Sequence, residues 1–567
     1  METKKIAFAV IYLALLVTHL SEAQNCSQPQ KGILDGEVIL GLLFPFHSSE
    51  DGKCISSISD VDTIQILEAA KFAVSRFNQR YSIPGLRIGL EAWDSCRSEE
   101  IAVERSLLFL GDRVNVIDSN GDVCPNRKLR IGMVADEISS TSRAVASLLT
   151  NAWTPQISYG GTAPDLSDKE KYPYLLRTVP SDKYQAQAMV DVAKRIGWKY
   201  VNVIYTEEDD HQRAFQAFKD IAGEQGICFA NEHGIKQKTT VLAAFESFLA
   251  DFSRKPNAKA VVAFVTQEHA GYLLKAAQEN GHLDLQWFFS YEGMTNPIVL
   301  IQGAPLAARG MMGMAPAIFT VNVQDFDDYF RSLTPETVST ESNPWFAEYW
   351  QEKYQCNLPG SSKYPSQCDQ TAVDSHSSSY ISYPYIPTTL NAIDTFSSVV
   401  RDLHDSLCGI NHAGVCDEML TVDSDELLQK LKQVTLQATD NMMEVNFDEN
   451  GDIAPIYDIA NYNGSVFSLV GNWTSGILSL DVSKVTMWVG DDPKTGSDLP
   501  VSECGSPCTD SQCETAEEKK VYIPGDVILG GIFPIHGKGS SDQDCGTLDA
   551  EGVIQLEAML FALEQIN

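Results

Sequence analysis

From residue 36 onward, apolar runs alternate with amphipathic stretches. The pattern predicts an α/β fold of parallel sheets flanked by helices, divided into two lobes. The runs 37–44 (EVILGLLF), 131–135 (IGMVA), 200–205 (YVNVIY) and 259–265 (KAVVAFV) are predominantly apolar and read as buried parallel strands. Between them, stretches 63–78, 98–110, 141–151, 183–197, 211–225 and 267–280 carry helical spacing. About 450 residues of this alternation exceed one core, so two lobes are expected. Ligands of open α/β sheets bind beyond the carboxyl ends of the strands, which places the expected site in the cleft.

The 567 residues include 76 acidic and 42 basic ones, a net charge of −34, which argues against a nucleic-acid partner. Hydrophobic content of 44% is enough to bury several cores, so disorder is a poor reading for most of the chain. Lys4 and Lys5, the apolar run 6–20 and Ser21-Glu22-Ala23 predict a secretory signal over 1–23, with an uncleaved anchor as the alternative. No later segment approaches the roughly 20 apolar residues of a membrane helix. The mature chain is therefore expected in the secretory pathway and outside the cell. Its thirteen cysteines should mostly pair there. Sequons at Asn25, Asn463 and Asn472 agree with export and predict glycosylation.

An internal repeat sets the organisation. Residues 36–47 (GEVILGLLFPFH) and 525–536 (GDVILGGIFPIH) share eight of twelve positions. Each is followed by a polar loop carrying one cysteine, Cys54 or Cys545, and then by a helix-like stretch. The second copy reaches Asn567 within its first helix. One strand and one helix cannot bury their own apolar faces, so this copy is read as incomplete.

The stretches YGGTAPDLSDKEKYPYLLRTVPSD (159–182), QAQAMVDVAKRIGWKYVNVIYTE (185–207) and FDENGD (447–452) resemble the ligand-binding domain of metabotropic glutamate receptors, which are class C G-protein-coupled receptors. GDVILGGIFPIH and EAMLFALEQIN in the second copy do so too. The resemblance implies a two-lobed Venus flytrap of periplasmic-binding-protein type I. The expected order is a signal peptide over 1–23, a flytrap over 30–490, a stub resembling the family's cysteine-rich domain over 500–515, and an incomplete second flytrap over 524–567. Two tandem copies depart from the family plan of flytrap, cysteine-rich domain and seven membrane helices. The membrane portion, and with it any G-protein contact, lies outside this sequence.

The resemblance implies a site for a free amino acid, which needs donors for a carboxylate and acidic groups for an ammonium. Ser139 matches the family serine that takes the ligand carboxylate at a helix start; read alone, it is a plain N-cap. Thr162 matches a threonine contacting both ends of the ligand backbone. Gly160 stands where the family often has serine and offers only its backbone, and Gly160-Gly161 also reads as a tight turn. Asp182 matches the aspartate near the ammonium, and alone reads as the N-cap of a helix beginning at Lys183. Glu292 matches an acidic residue of the second lobe. Asp210 falls where the family has a tyrosine. The run Glu207, Glu208, Asp209 and Asp210 reads as a solvated face or as a cation attractor; no metal site is expected, and no cofactor.

The family's distal cations fall at about Ile66 and Tyr385, with a further arginine position near Pro297. Each charge-assisted bond lost there costs a ligand carboxylate about 1.5–3 kcal/mol. The expected far end is therefore apolar or aromatic, suited to neutral rather than acidic amino acids. The resemblance also implies bridges Cys54–Cys96, Cys356–Cys368, Cys408–Cys416 and Cys228–Cys513. It implies an intersubunit bond at Cys124, hence a homodimer or heterodimer, with an intrachain bond as the alternative. A receptor ectodomain at the cell surface is the expected function. A secreted carrier or decoy, or the ectodomain of a receptor guanylyl cyclase, are the alternatives. No HExxH, GxSxG or P-loop suggests catalysis.

Overall fold

The computed structural model describes residues 29–111, 116–117, 123–124, 128–378, 380–436, 444–503, 536–538 and 545–548. The signal segment 1–23, Asn25, the 504–515 stub with Cys513, and the second copy's first strand and helix lie outside the described residues. So does the side chain of Cys124. The chain divides into two compact units, Met1–Cys513 and Glu514–Asn567.

The first unit is built on two sheets. The first runs in the order Lys31–Leu34, Ile88–Asp94, Val38–Phe44, Leu129–Val134, Gln156–Ser158 and Leu175–Arg177. All its pairings are parallel except that of the edge strand Lys31–Leu34. Val38–Phe44 is buried at every position, which explains its unbroken apolar run, and Ile88–Asp94 is equally buried although it carries Glu91 and Asp94. Helices Ile64–Tyr81 and Ile386–Leu403 pack together, and both contribute to the first lobe's main core.

The second sheet begins with five parallel strands in the order Cys228–Ile235, Tyr200–Thr206, Ala260–Phe264, Gln286–Phe289 and Met312–Pro316. It continues into an antiparallel half: Ile456–Tyr462, Phe467–Thr474 and Ile477–Leu480. This half departs from the expectation of parallel sheets alone. Asn463-Gly464 and Ser475-Gly476 turn these hairpins, with positive φ at Gly464, Ser475 and Gly476. Asn463 was therefore a turn signal as well as a sequon. The side chains of Asn463 and Asn472 are exposed.

The chain crosses between lobes three times. Leu176 belongs to the first core and Ala186 to the second; Met314 to the second and Ile318 to the first; Ile453 to the first and Tyr457 to the second. Each lobe is thus discontinuous in sequence, and the cleft lies beside the three crossings.

Disulfides Cys54–Cys96, Cys356–Cys368 and Cys408–Cys416 form as the resemblance implied. Closing loops of these sizes stabilises by about 2.5–4 kcal/mol each, most for the Cys54–Cys96 loop. Cys228 is disulfide-bonded as well. The two copies of the repeat share a local form. In the first, His47–Glu50 and Lys53–Ile58 make an antiparallel hairpin with Ser49 opposite Cys54. In the second, His536–Lys538 pairs with Cys545–Leu548, and Lys538 stands opposite Cys545. Both pairings place the residue two after the histidine against the cysteine.

Candidate functional site

The loop after strand Gln156–Ser158 is held from beneath. Arg177 ends the neighbouring strand and is fully buried. Its guanidinium forks onto Asp452, Nε at 2.6 Å from Oδ1 and Nη2 at 2.9 Å from Oδ2. Its Nη1 donates to the carbonyls of Gly161 and Ala163. Asp452 closes the FDENGD turn, and the carbonyl of Gly451 accepts the Arg177 amide. The two most distinctive sequence motifs thus meet in one buried ion pair, which fixes Gly160, Gly161 and Thr162 in place. Burial works against both charges, but each holds the other ionised: Asp452 is lowered and Arg177 raised.

The glycines of that loop are required by close approach, not by φ. A Cβ on Gly160 would lie 2.7 Å from Cα and the carbonyl oxygen of Glu137, and one on Gly161 would lie 2.8 Å from Oγ of Ser158. The Ser158 hydroxyl accepts the Gly161 amide at 2.9 Å. Gly160 lines the cleft; Gly161 faces the protein.

A cavity of about 840 Å³ opens between the lobes. Thr162, Gly160 and Tyr385 line it from the first lobe, and Asp210 and Glu292 from the second. A smaller recess continues from it, bounded by Asp182, Thr162, Asp210 and Glu292. The Asp182 amide donates to the Thr162 carbonyl at 2.9 Å. The structure therefore brings together six of the nine ligand-site residues expected from sequence.

The other three lie behind the wall. Ile66 is fully buried in the main core, because its helix turns that face onto the sheet. Its neighbour Gln65 faces the cleft side instead, bonding the amide of Tyr383 and the carbonyl of Ile381. Ser139 is buried, and its Oγ accepts the amide of Ala163 at 3.2 Å. It is the first residue of helix Ser139–Asn151, whose N-cap is Ile138, so the N-cap reading is corrected. Likewise Asp182 is the first residue of helix Asp182–Arg195 and Ser181 is the cap.

The charge around the cavity is uneven. Burial pushes the Asp182 carboxyl up to about 7, and Asp210 and Glu292 add to this against the Thr162 hydroxyl and Arg177. His211, absent from the sequence-based site, sits on Glu292 with Nε2 2.7 Å from Oε2. Burial opposes its charge, yet Glu292 and Glu208 raise its pKa to about 9, and Glu292 is lowered in turn. The pair is ionic at neutral pH.

The aromatic wall comes from three tyrosines. Tyr385 stands edge-on to Tyr291 of the second lobe, with ring centroids 6.4 Å apart. Tyr383 packs against Tyr385, and its hydroxyl donates to Oε1 of Glu137 at 2.9 Å. Pro297, Ile298 and Val299 fill the region of the family's arginine position. A cation nevertheless reaches the cavity: Arg97, just after Cys96, lines it and was not anticipated. The signal available was its place beside a bridged cysteine.

The family described as Receptor family ligand binding region matches residues 65–465. Metabotropic glutamate receptor 8 of Mus musculus is 30% identical over 495 residues, which cover 84% of this chain and 53% of that protein. The chain spans about half the length of this curated relative.

Proposed function

The chain belongs to the receptor family ligand-binding region, and on that premise we propose that it is the extracellular amino-acid-binding part of a class C G-protein-coupled receptor. It closes on a free amino acid, neutral rather than acidic, and that closure drives activation. The observation carrying this reading is the recess where Thr162 of the first lobe faces Asp182, Asp210 and Glu292 of the second. Three carboxylates with one histidine among them suit an ammonium. The tyrosine wall and the apolar stretch at Pro297–Val299 suit an uncharged side chain.

The same premise supports a signal peptide over 1–23, a flytrap over 30–490 and a second flytrap beginning at about 524. It also supports placement at the cell surface, glycosylation at Asn25, Asn463 and Asn472, and a dimer linked at Cys124. Cys513 is the proposed partner of Cys228. Binding of ligand shifts the lobes only as far as its affinity differs between open and closed states.

Thermal unfolding of the expressed chain with each free amino acid tests the reading. Ligand at 100 times its dissociation constant adds about 2.7 kcal/mol. A shift with leucine or phenylalanine that disappears in Thr162→Ala is the expected result. A larger shift with glutamate would remove the preference for neutral ligands, and no shift with any amino acid would overturn the function.

A further inference from the structure

Ser139, the residue the sequence selects for a ligand carboxylate, is buried and does not line the cavity. Its hydroxyl oxygen accepts the Ala163 amide, and its burial keeps the remaining O–H donor off the cavity surface. A ligand carboxylate in this cleft is left to the donors that line it. Arg97 is the only arginine or lysine lining the cavity among the described residues.

Its surroundings leave its donors available. Among the described residues, no carboxylate oxygen comes within 4.0 Å of the Arg97 guanidinium, and no hydrogen bond engages it. The acids that face it at longer range include Glu137, Glu208, Asp136, Asp60 and Glu292. Each is engaged elsewhere: Glu137 takes the Tyr383 hydroxyl, Glu208 the Gln237 amide, Asp136 the Glu137 amide and Asp60 the Asp62 amide, while Glu292 pairs with His211. These acids keep the guanidinium charged without occupying its fork.

The backbone that presents Arg97 is held in an uncommon form. Cys96 and Arg97 both have positive φ, 51° and 53°. Two consecutive non-glycine residues in the left-handed region persist only where their surroundings fix them. Here Cys96 is bridged to Cys54, and its amide donates to Oδ1 of Asp94 at 2.8 Å. That carboxylate also accepts the amides of Phe46 and His47. The turn is thus anchored to the sheet end on three sides, and the side chain it carries enters the cavity from a fixed base.

We propose that Arg97 is the carboxylate-recognising residue of the cleft, its guanidinium taking the ligand's α-carboxylate in place of a serine hydroxyl. This rests on the amino-acid reading above and adds a specificity to it. A planar fork pairs with a carboxylate in two parallel bonds, which a lysine cannot reproduce. The ligand then spans two poles: Arg97 at one end, and Asp182, Asp210 and Glu292 at the other. Amines without a carboxylate are discriminated against.

Isothermal titration of the expressed chain with L-leucine and L-leucinamide, then with every other L-amino acid and its α-amide, tests this. The wild-type chain should bind the acid about 10- to 100-fold more tightly than the amide. Arg97→Ala should weaken the acid by about that factor without weakening the amide, and Arg97→Lys should restore part of the preference. Because the amide is measured on the same variant, general damage to the fold is separated from loss of the carboxylate contact. Equal binding of acid and amide to the wild type, or an equal loss of both in Arg97→Ala, would overturn Arg97's role and leave amino-acid binding standing. Binding by no amino acid at all would overturn both.

Discussion

The two lobes meet the same cavity with opposite chemistry. The first lobe's wall is largely committed: the Thr162 carbonyl takes the Asp182 amide, Tyr383 is bonded to Glu137, and the Gly160–Thr162 loop to Arg177. Three disulfides lie in that lobe, and a buried ion pair anchors its loop. The second lobe's wall is mostly carboxylate, with His211 sitting on Glu292. The difference shows why closure should depend on ligand. Asp182 heads a helix of the second lobe and stands with Asp210 and Glu292, so that wall gathers several carboxylates, and closing it away from water is unfavourable. A ligand ammonium among them offsets that cost, so the charged wall closes on the committed one when a cation is supplied.

The strongest way to break this contrast is to remove the brace of the first lobe. Asp452→Asn leaves Arg177 fully buried without its counter-charge and should cost about 3–5 kcal/mol in denaturant unfolding. It should also abolish ligand binding, because the carbonyls of Gly161 and Ala163 share that guanidinium. An unfolding midpoint close to wild type would show that the loop holds itself.

Next comes the loop's approach to Glu137. Gly160→Ser, the residue frequent in the family, introduces a Cβ 2.7 Å from a backbone atom, which no rotamer avoids. The expected loss is about 1–3 kcal/mol, as for overpacked sites. Wild-type stability in this variant would mean that the first wall yields readily and is less committed than its bonds suggest.

Much of this architecture was legible beforehand, for physical reasons. The strands at Val38–Phe44 and Tyr200–Thr206 are parallel and buried on both faces, so they read as apolar runs, the second interrupted only by Asn202 before Thr206. The helix Asp209–Glu224 covers a core on one side only, and its period shows it. The antiparallel half of the second sheet was missed, because the hairpin glycines at Gly464 and Gly476 were not weighed as turns. Residues taken from motifs line the cavity or its recess where the backbone carries them there, as at Gly160, Thr162 and Asp182. They failed where one helical step decides the outcome: Ile66 faces the core, while Gln65 beside it reaches the cleft loop. Arg97 and His211 escaped because no pattern in a linear chain reports which lobe a loop will face.

Protonation sharpens the contrast further. Folded Asp182 holds its proton up to about pH 7, against an ordinary value of 3.8. The folded state therefore binds the extra proton between those limits, and this group's contribution to stability falls as pH rises through them. A ligand ammonium favours the ionised carboxylate, so binding expels the proton. Affinity should rise with pH by up to about tenfold per unit below pH 7 and then level off. Asp182→Asn should flatten the profile. Glu292→Gln should leave the slope in place, because His211 keeps Glu292 ionised across that range. Titration calorimetry at about pH 5.5, 6.5 and 7.5 reads all three proteins; a profile equally flat in the wild type would remove Asp182 from the ligand's ammonium.

The smallest effect concerns a direct ionic link between the lobes. Arg213 of the second lobe reaches Oδ1 of Asp165 at 3.5 Å, while Arg143 of the first lobe holds the same carboxylate, its Nε 2.8 Å from Oδ2. Asp165 is thereby kept below the ordinary carboxylate range, burial notwithstanding. Arg213 is 39% exposed, so water and salt screen its share. Arg213→Ala should change unfolding stability by less than about 1 kcal/mol, and about 0.5 M salt should erase even that. Arg143→Ala should cost more, since it removes the shorter contact within one lobe. If Arg213→Ala instead shifts ligand affinity several-fold with no change in stability, the pair acts on the balance between open and closed lobes. The second wall would then be held to the first by its own charge as well as by the ligand's.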